Sequence, residues 1–141
     1  MNSEYEIIVW SDAFSVGVAV VDEQHQILVN MLNMAAEQLT NSSGRVQIQE
    51  IIRDLMSYAL YHFDTEEELM VEHDFPSIDR EKHFQEHRSF SATVSLLQQD
   101  LNEGKLVGRD TLLGFLKDWL IHHIQGTDKH LGNFLCQSDS T

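Results

Sequence analysis

The chain has 141 residues, 42% of them hydrophobic, which is enough for one domain with a real core and too short to expect two. Its 23 acidic against 9 basic residues give a formal net charge of -14, which repels nucleic acid and anionic lipid headgroups and excludes both as expected partners. The acidic opening Met1-Asn2-Ser3-Glu4-Tyr5-Glu6 has no positively charged lead and no long apolar run after it, so neither a signal peptide nor a membrane span is expected and the protein is read as cytoplasmic.

Roughly the first twenty residues, with Trp10 and the run Val16-Gly17-Val18-Ala19-Val20-Val21, lack helical periodicity and are expected to form an extended arm packed along a helical bundle. Four helical stretches come next, separated by Asn41-Ser42-Ser43-Gly44, by Asp74-Phe75-Pro76-Ser77 and by the segment from Gly104 to Gly108. Pro76, the only proline, lies between stretches and interrupts none of them. Short connections make neighbours antiparallel, so the expected fold is an all-α, up-down-up-down four-helix bundle. It is read as a single domain over 1–141, with the arm at about 1–20 and the bundle at about 21–136.

Apolar positions spaced by three and four mark the inward face of each helix. On the first they are His25, Leu28, Leu32, Ala35 and Leu39, and on the second Ile48, Ile52, Leu55, Ala59, His62, Glu66 and Leu69. The third gives His83, His87, Phe90, Val94, Leu97 and Leu101. The fourth gives Leu113, Leu116, Leu120, then His123 or Ile124, Asp128, Leu131 and Leu135. Every stripe therefore contains an ionisable group. At about 1.5 Å rise per residue, His25 and His62 lie about 21 and 22 Å from the turn joining their helices, and His87 and His123 about 21 and 20 Å from theirs. All four helices present these groups at one level.

Buried carboxylates and imidazoles are costly unless something compensates them, and a metal does so. Five histidines and two acids exceed the needs of one tetrahedral zinc and match two metal ions. His62/Glu66 and His83/His87 stand one turn apart on their helices, so each pair can grip a metal without distortion. His123 and Asp128 are five residues apart, about 140° round an ideal helix, which demands a long reach or a local bulge.

At these residues the chain resembles the bacterial branch of the hemerythrin family: Asp22-Glu23-Gln24-His25, His62-Phe63-Asp64-Thr65-Glu66, His83-Phe84-Gln85-Glu86-His87 and His123-Ile124-Gln125-Gly126-Thr127-Asp128, preceded by an arm with Trp10-Ser11-Asp12 and Val16-Gly17-Val18. The resemblance implies two iron ions, His83, His87 and His123 on one and His25 and His62 on the other, bridged by Glu66, Asp128 and an oxo or hydroxo group. It implies reversible O2 binding at an open position on the second iron, for transport, storage or delivery, and not an enzyme. It also gives Leu120 the role of lining the O2 pocket. An O2-accepting or reducing protein is the further partner such a role invites, and a monomer is the expected state.

Taken singly, a histidine on an apolar stripe is more often a hydrogen-bonded core residue than a ligand; four ordered motifs on four helices reverse that weighting. Ferritin-like oxidases use Glu-x-x-His on two helices, a spacing that occurs nowhere in this chain. A peroxide- or nitric-oxide-processing relative and an oxygen- or redox-sensing module compete with the carrier reading, and a structural zinc bundle is disfavoured by the ligand count. His73, His122 and His130 are expected at the surface or in support, Asp22 as a helix N-cap, and Asp64, Glu67, Glu68 and Glu72 as a solvated face. Phe63, Phe84, Phe90 and Trp119 read as packing residues. Cys136, without a second cysteine, is read as incidental.

Overall fold

A computed structural model describes residues 7–40, 44–105 and 107–139. A 3-10 turn, Asp12–Phe14, precedes helices α1 (Ala19–Gln38), α2 (Arg45–Glu72), α3 (Ser77–Asn102) and α4 (Arg109–His122); a π-helical turn, His123–Asp128, then leads directly into α5 (Lys129–Asp139). Because His123 and Lys129 both keep right-handed helical backbone angles, α4, the π turn and α5 run on as one rod. Four rods in up-down-up-down order make the bundle that the stripes predict. Among the described residues there is no strand, and no helix is long and apolar enough to cross a membrane.

The apolar stripes go where their period sends them. α1 packs on α2 and α4, and α2 packs on α3. Phe90 of α3 meets Phe115 and Trp119 of α4 at ring distances of 6.0 and 4.5 Å, closing the ring of rods. The reversals are local. At the end of α2, Asp74 takes a left-handed φ of 55° and the Phe75 amide donates to the Met70 carbonyl at 2.9 Å; at the end of α3, Gly104 at φ 82° lets the Lys105 amide reach the Asp100 carbonyl at 2.8 Å. Both are the six-to-one closure that satisfies terminal carbonyls and stops a helix. The start of α4 is tied to the end of α1 by Arg109, whose guanidinium donates to the Leu39 and Ala36 carbonyls at 2.7 Å each. Residues 41–43 of the first predicted turn lie outside the described residues, as does residue 106 of the third.

The arm is shorter than its composition suggested. Its first six residues lie outside the described ones, and α1 begins at Ala19, so Val20 and Val21 belong to the helix. Val21 is buried and stands four residues before His25, which extends the inward stripe by one turn. Asp22 is not the N-cap; that position falls to Val18, which makes no side-chain capping bond. Instead the Asp22 carboxylate turns back on the arm, accepting from the Val16 amide and the Ser15 hydroxyl at 2.8 Å each. Lys129 donates to the Ser15 carbonyl at 2.7 Å, one residue past Asp128. Gly132 lies so close under the Val16 carbonyl that a Cβ would collide with backbone.

Farther out, the Asn33 amide clasps the arm like a missing strand partner, accepting from the Ile7 and Ile8 amides at 2.9 and 3.2 Å and donating to the Ile8 carbonyl at 2.9 Å. Asn33→Ala leaves those backbone groups without their partners, at a cost of about 1–3 kcal/mol. Urea unfolding should register that loss, and the Ile7 and Ile8 amides should exchange with solvent faster while those around Leu55 keep their protection.

Candidate metal centre

All seven of the predicted ligand residues meet at one level of the core, and each is at most 2% exposed. α1 supplies His25, α2 His62 and Glu66, α3 His83 and His87, and the π turn His123 and Asp128. The one-turn spacing within α2 and within α3 needs no distortion. The five-residue spacing on the last rod is accommodated by the π turn, whose extra residue per turn brings Asp128 round to the face that carries His123.

Each carboxylate divides its two oxygens between two sets of imidazoles. Glu66 Oε1 lies 3.1 Å from His83 Nε2 and 3.0 Å from His87 Nε2, while its Oε2 lies 3.0 Å from His62 Nε2 and 3.3 Å from His25 Nε2. Asp128 repeats the division: Oδ1 is 3.0 Å from His83 Nε2 and 3.1 Å from His123 Nε2, and Oδ2 is 2.8 Å from His25 Nε2. Two clusters result, Glu66, His83, His87, His123 and Asp128 in one and His25, His62, Glu66 and Asp128 in the other, with the donor atoms of each within 4.8 Å of one another. They share both acids.

Only Glu66 Oε1 is engaged in hydrogen bonds here, with His83 Nε2 and His87 Nε2; the other atoms are close without being aimed at one another. The Nε2 atoms of His25, His62 and His123, Oε2 of Glu66 and both oxygens of Asp128 are buried with no hydrogen-bond partner. Polar atoms so placed cost free energy unless they converge on a cation. A mixed set of imidazole nitrogens and carboxylate oxygens, divided between two centres, fits a pair of divalent or trivalent transition-metal ions, so the residues present fit the group.

Protonation depends on the same proximity. Burial opposes charge on His25 and His83, but the carboxylates of Asp128 and Glu66 outweigh it and push both imidazoles up to about 9. His123, deeply buried, is likewise held well above its ordinary value by Asp128, Glu66 and Glu86. Burial alone would raise Glu66 and Asp128, yet the facing imidazoles hold both below the usual carboxylate range.

Behind the ligands stands a ring of groups that the stripes did not mark. His62 Nδ1 meets Gln24 Oε1 at 2.7 Å, His87 Nδ1 meets Glu67 Oε2 at 2.8 Å, and His123 Nδ1 meets Glu86 Oε1 at 2.7 Å. Thr127, inside the π turn, donates to the Glu86 carboxylate at 2.7 Å. The hydrogen bond from His123, with the Thr127 bond adding to it, lowers the Glu86 carboxyl below its ordinary value. Glu67 is therefore more than part of a solvated face. Each of Gln24, Glu67 and Glu86 is the chain neighbour of a candidate ligand and supports a candidate ligand on the next rod, a signal available only once the antiparallel order is known.

The remaining histidines stay apart. His122 is exposed, its Nδ1 donating to the Asp118 carbonyl at 2.7 Å; His130 is exposed 3.4 Å from Asp79; His73 caps the end of α2. Aromatic side chains wall the site as packing residues, Phe63 stacked on His87 at 4.0 Å and Trp119 on His123 at 4.4 Å. Leu120 lines a cavity of about 30 Å³ that touches His25, His62, His123 and Asp128 but neither His83 nor His87. Its other walls are aliphatic or aromatic, Leu28, Leu32 and Trp119 among them.

A four-helix bundle with two histidine sets joined by shared acids defines a class of cation-binding proteins, and the comparisons place the chain within it. Residues 16–135 match the hemerythrin HHE cation binding domain, and the chain belongs to the hemerythrin family. It is 32% identical over 123 residues to a bacteriohemerythrin of Stenotrophomonas maltophilia (strain R551-3), covering 87% of this chain and 78% of the relative. It is 29% identical over 126 residues to a myohemerythrin of Riftia pachyptila, covering 89% and 92%. A crystal structure of wild-type hemerythrin superposes with a TM-score of 0.81 at 30% identity, covering 92% of this chain and 98% of that one.

The protonation pattern makes a prediction for the metal-free protein. The folded-state values of His25 and His83, about 9 against 6.5, mean that their pairing with the acids stabilises fully below pH 6.5 and is lost as the pH rises through 9. The contribution of Glu66 and Asp128 runs the other way, present above the ordinary carboxylate range and lost in acid. Melting temperature should therefore fall from pH 6.5 to 9 without metal and flatten with metal bound. Metal added to the metal-free protein at about pH 7.5 should release protons into weak buffer, because ligation needs unprotonated Nε2 atoms. A melting temperature that rises between pH 6.5 and 9 would contradict these assignments.

Proposed function

We propose that the chain binds O2 reversibly at a non-haem di-iron centre, as a carrier or store and not as an enzyme. The observation that carries this reading is the division of the Glu66 and Asp128 oxygens between two histidine sets. In this reading His83, His87 and His123 would hold one iron, His25 and His62 the other, and Glu66 and Asp128 would serve both. The hemerythrin names of its relatives support the choice of iron. Two ferrous ions, when bound, would supply the two electrons that O2 takes up on binding and returns on release.

Unequal ligand counts favour binding over turnover. Three imidazoles and two carboxylates would crowd one position, whereas two imidazoles and the same two acids would leave room at the other. The cavity touches both histidines of that position, His25 and His62, but only His123 of the other three. About 30 Å³ exceeds the roughly 10–15 Å³ that a water-sized molecule requires in the same measure, so a diatomic gas can sit there. Leu28, Leu32 and Leu120 offer it no proton donor and no competing anion, which keeps water from stripping the bound gas. Five imidazoles with only two carboxylates also differ from the acid-rich ligation that suits oxygen activation.

Gas uptake by the anaerobically reduced, iron-loaded protein tests this directly. One O2 per iron pair should be taken up in air and returned under vacuum through repeated cycles; irreversible oxidation with hydrogen peroxide release would favour an oxidase. Leu120→Ala should keep its iron and lose about 2–5 kcal/mol of stability at this buried position. It should autoxidise faster than the parent, and azide should accelerate the loss further. Unchanged autoxidation in a folded, iron-loaded variant would move the barrier to Trp119 or Phe63.

A further inference from the structure

Three ligand imidazoles have a hydrogen-bonding partner behind them, and the partners differ in charge. Gln24, behind His62, is a neutral amide and buried; Glu67 and Glu86, behind His87 and His123, are carboxylates with side chains 33% exposed. The two carboxylates serve only the three-histidine cluster, and the amide serves only the two-histidine cluster.

Ring orientation is fixed in all three. Thr65 Oγ1 donates to the Tyr61 carbonyl at 3.3 Å and accepts from Gln24 Nε2 at 3.1 Å, which leaves Gln24 Oε1, and only that atom, facing His62 Nδ1. An amide oxygen accepts, so His62 carries its proton on Nδ1. A carboxylate also accepts, so His87 and His123 do the same. Every one of these rings thus turns Nε2 inward, the atom that metal ligation requires free of its proton. Orientation is served equally by an amide or an acid, so the difference in charge is left to do something else.

An imidazole whose N–H points at a carboxylate is a stronger electron donor than one whose N–H points at an amide. Two such rings on one centre, with negative charge a few ångströms behind them, favour the more highly charged ion there. We propose that Glu67 and Glu86 are positioning residues that make the three-histidine position the one more easily held as a trivalent ion, and that neutral Gln24 keeps the two-histidine position, against which the gas cavity lies, divalent for longer. This inference rests on the di-iron reading above. It adds that the two irons have unequal potentials, set from outside the ligand shell.

Anaerobic spectroelectrochemistry on the iron-loaded protein separates charge from orientation. Each of two steps transfers one electron from the protein to the electrode, and iron content is counted first. Glu67→Gln and Glu86→Gln keep an acceptor behind the ring, so both should retain two irons and raise the first oxidation potential. A tenfold change in the ferric-to-ferrous affinity ratio corresponds to about 59 mV, and a shift of that order is expected for each. Gln24→Glu should lower the second potential and leave the first nearly unmoved. Glu67→Ala and Glu86→Ala, which remove orientation as well, should in addition weaken iron binding by about 10- to 100-fold. Potentials in the Gln variants equal to the parent's, with iron affinity lost only in the Ala variants, would reduce both acids to orientation and overturn the proposal. So would a Gln24→Glu shift confined to the step that Glu67→Gln moves. No oxygen enters these measurements, so a parent that fails to bind O2 reversibly would defeat the carrier reading while the potentials still decide this one.

Discussion

Two carboxylates, Glu66 and Asp128, sit without exposure to solvent in the middle of an apolar bundle, each facing imidazoles on both of its oxygens. Without compensation, such an arrangement would be among the most destabilising a core of this size could contain. Everything around it is arranged to keep the groups together and dry. The helices are long enough to hold each ligand well inside the bundle, aromatic rings stack on His87 and His123, and the π turn gives up a regular helical hydrogen-bond register to bring Asp128 inward.

The N-terminal arm belongs to this arrangement more closely than its distance in sequence suggests. Asp22 and Lys129 both grip it, the first three residues before His25 and the second one residue after Asp128. Gly132 leaves room for the Val16 backbone on the same rod. The arm thus clamps the two rods that supply His25 and Asp128, whose side chains approach each other to 2.8 Å.

Periodicity made the bundle and the inward placing of His25, His62, Glu66, His83 and His87 legible in the sequence, because burying one face of a helix forces a spacing of three and four; between His123 and Ile124 it left the choice open. His123 and Asp128 broke that spacing, which demanded a long reach or a local bulge, and the π turn is the bulge. Less was legible where one helix meets another. Glu67 follows Glu66 by one residue, about 100° round the helix, and by period alone belongs to solvent; it reaches His87 because α3 lies on that side. Gln24 and Glu86 escaped notice for the same reason, and Thr127 because its partner is Glu86. Asp22 looked like an N-cap because its short side chain precedes a stripe, but Val21 is itself buried, which moves the helix start back to Ala19. Local rules locate residues that face the core; residues that support a neighbour across an interface require the register between rods.

Glu66 and Asp128 each face both histidine sets, so two metal ions bound there would share both acids. Mössbauer spectroscopy on protein loaded with iron-57 and oxidised in air reads this most directly, because bridged ferric ions couple magnetically and isolated ones do not. Two irons per chain in two distinct environments, with no net magnetic moment at low temperature, is the result expected of three-histidine and two-histidine positions joined by common bridges. One iron per chain, or two irons that behave as independent high-spin ferric centres, would contradict it.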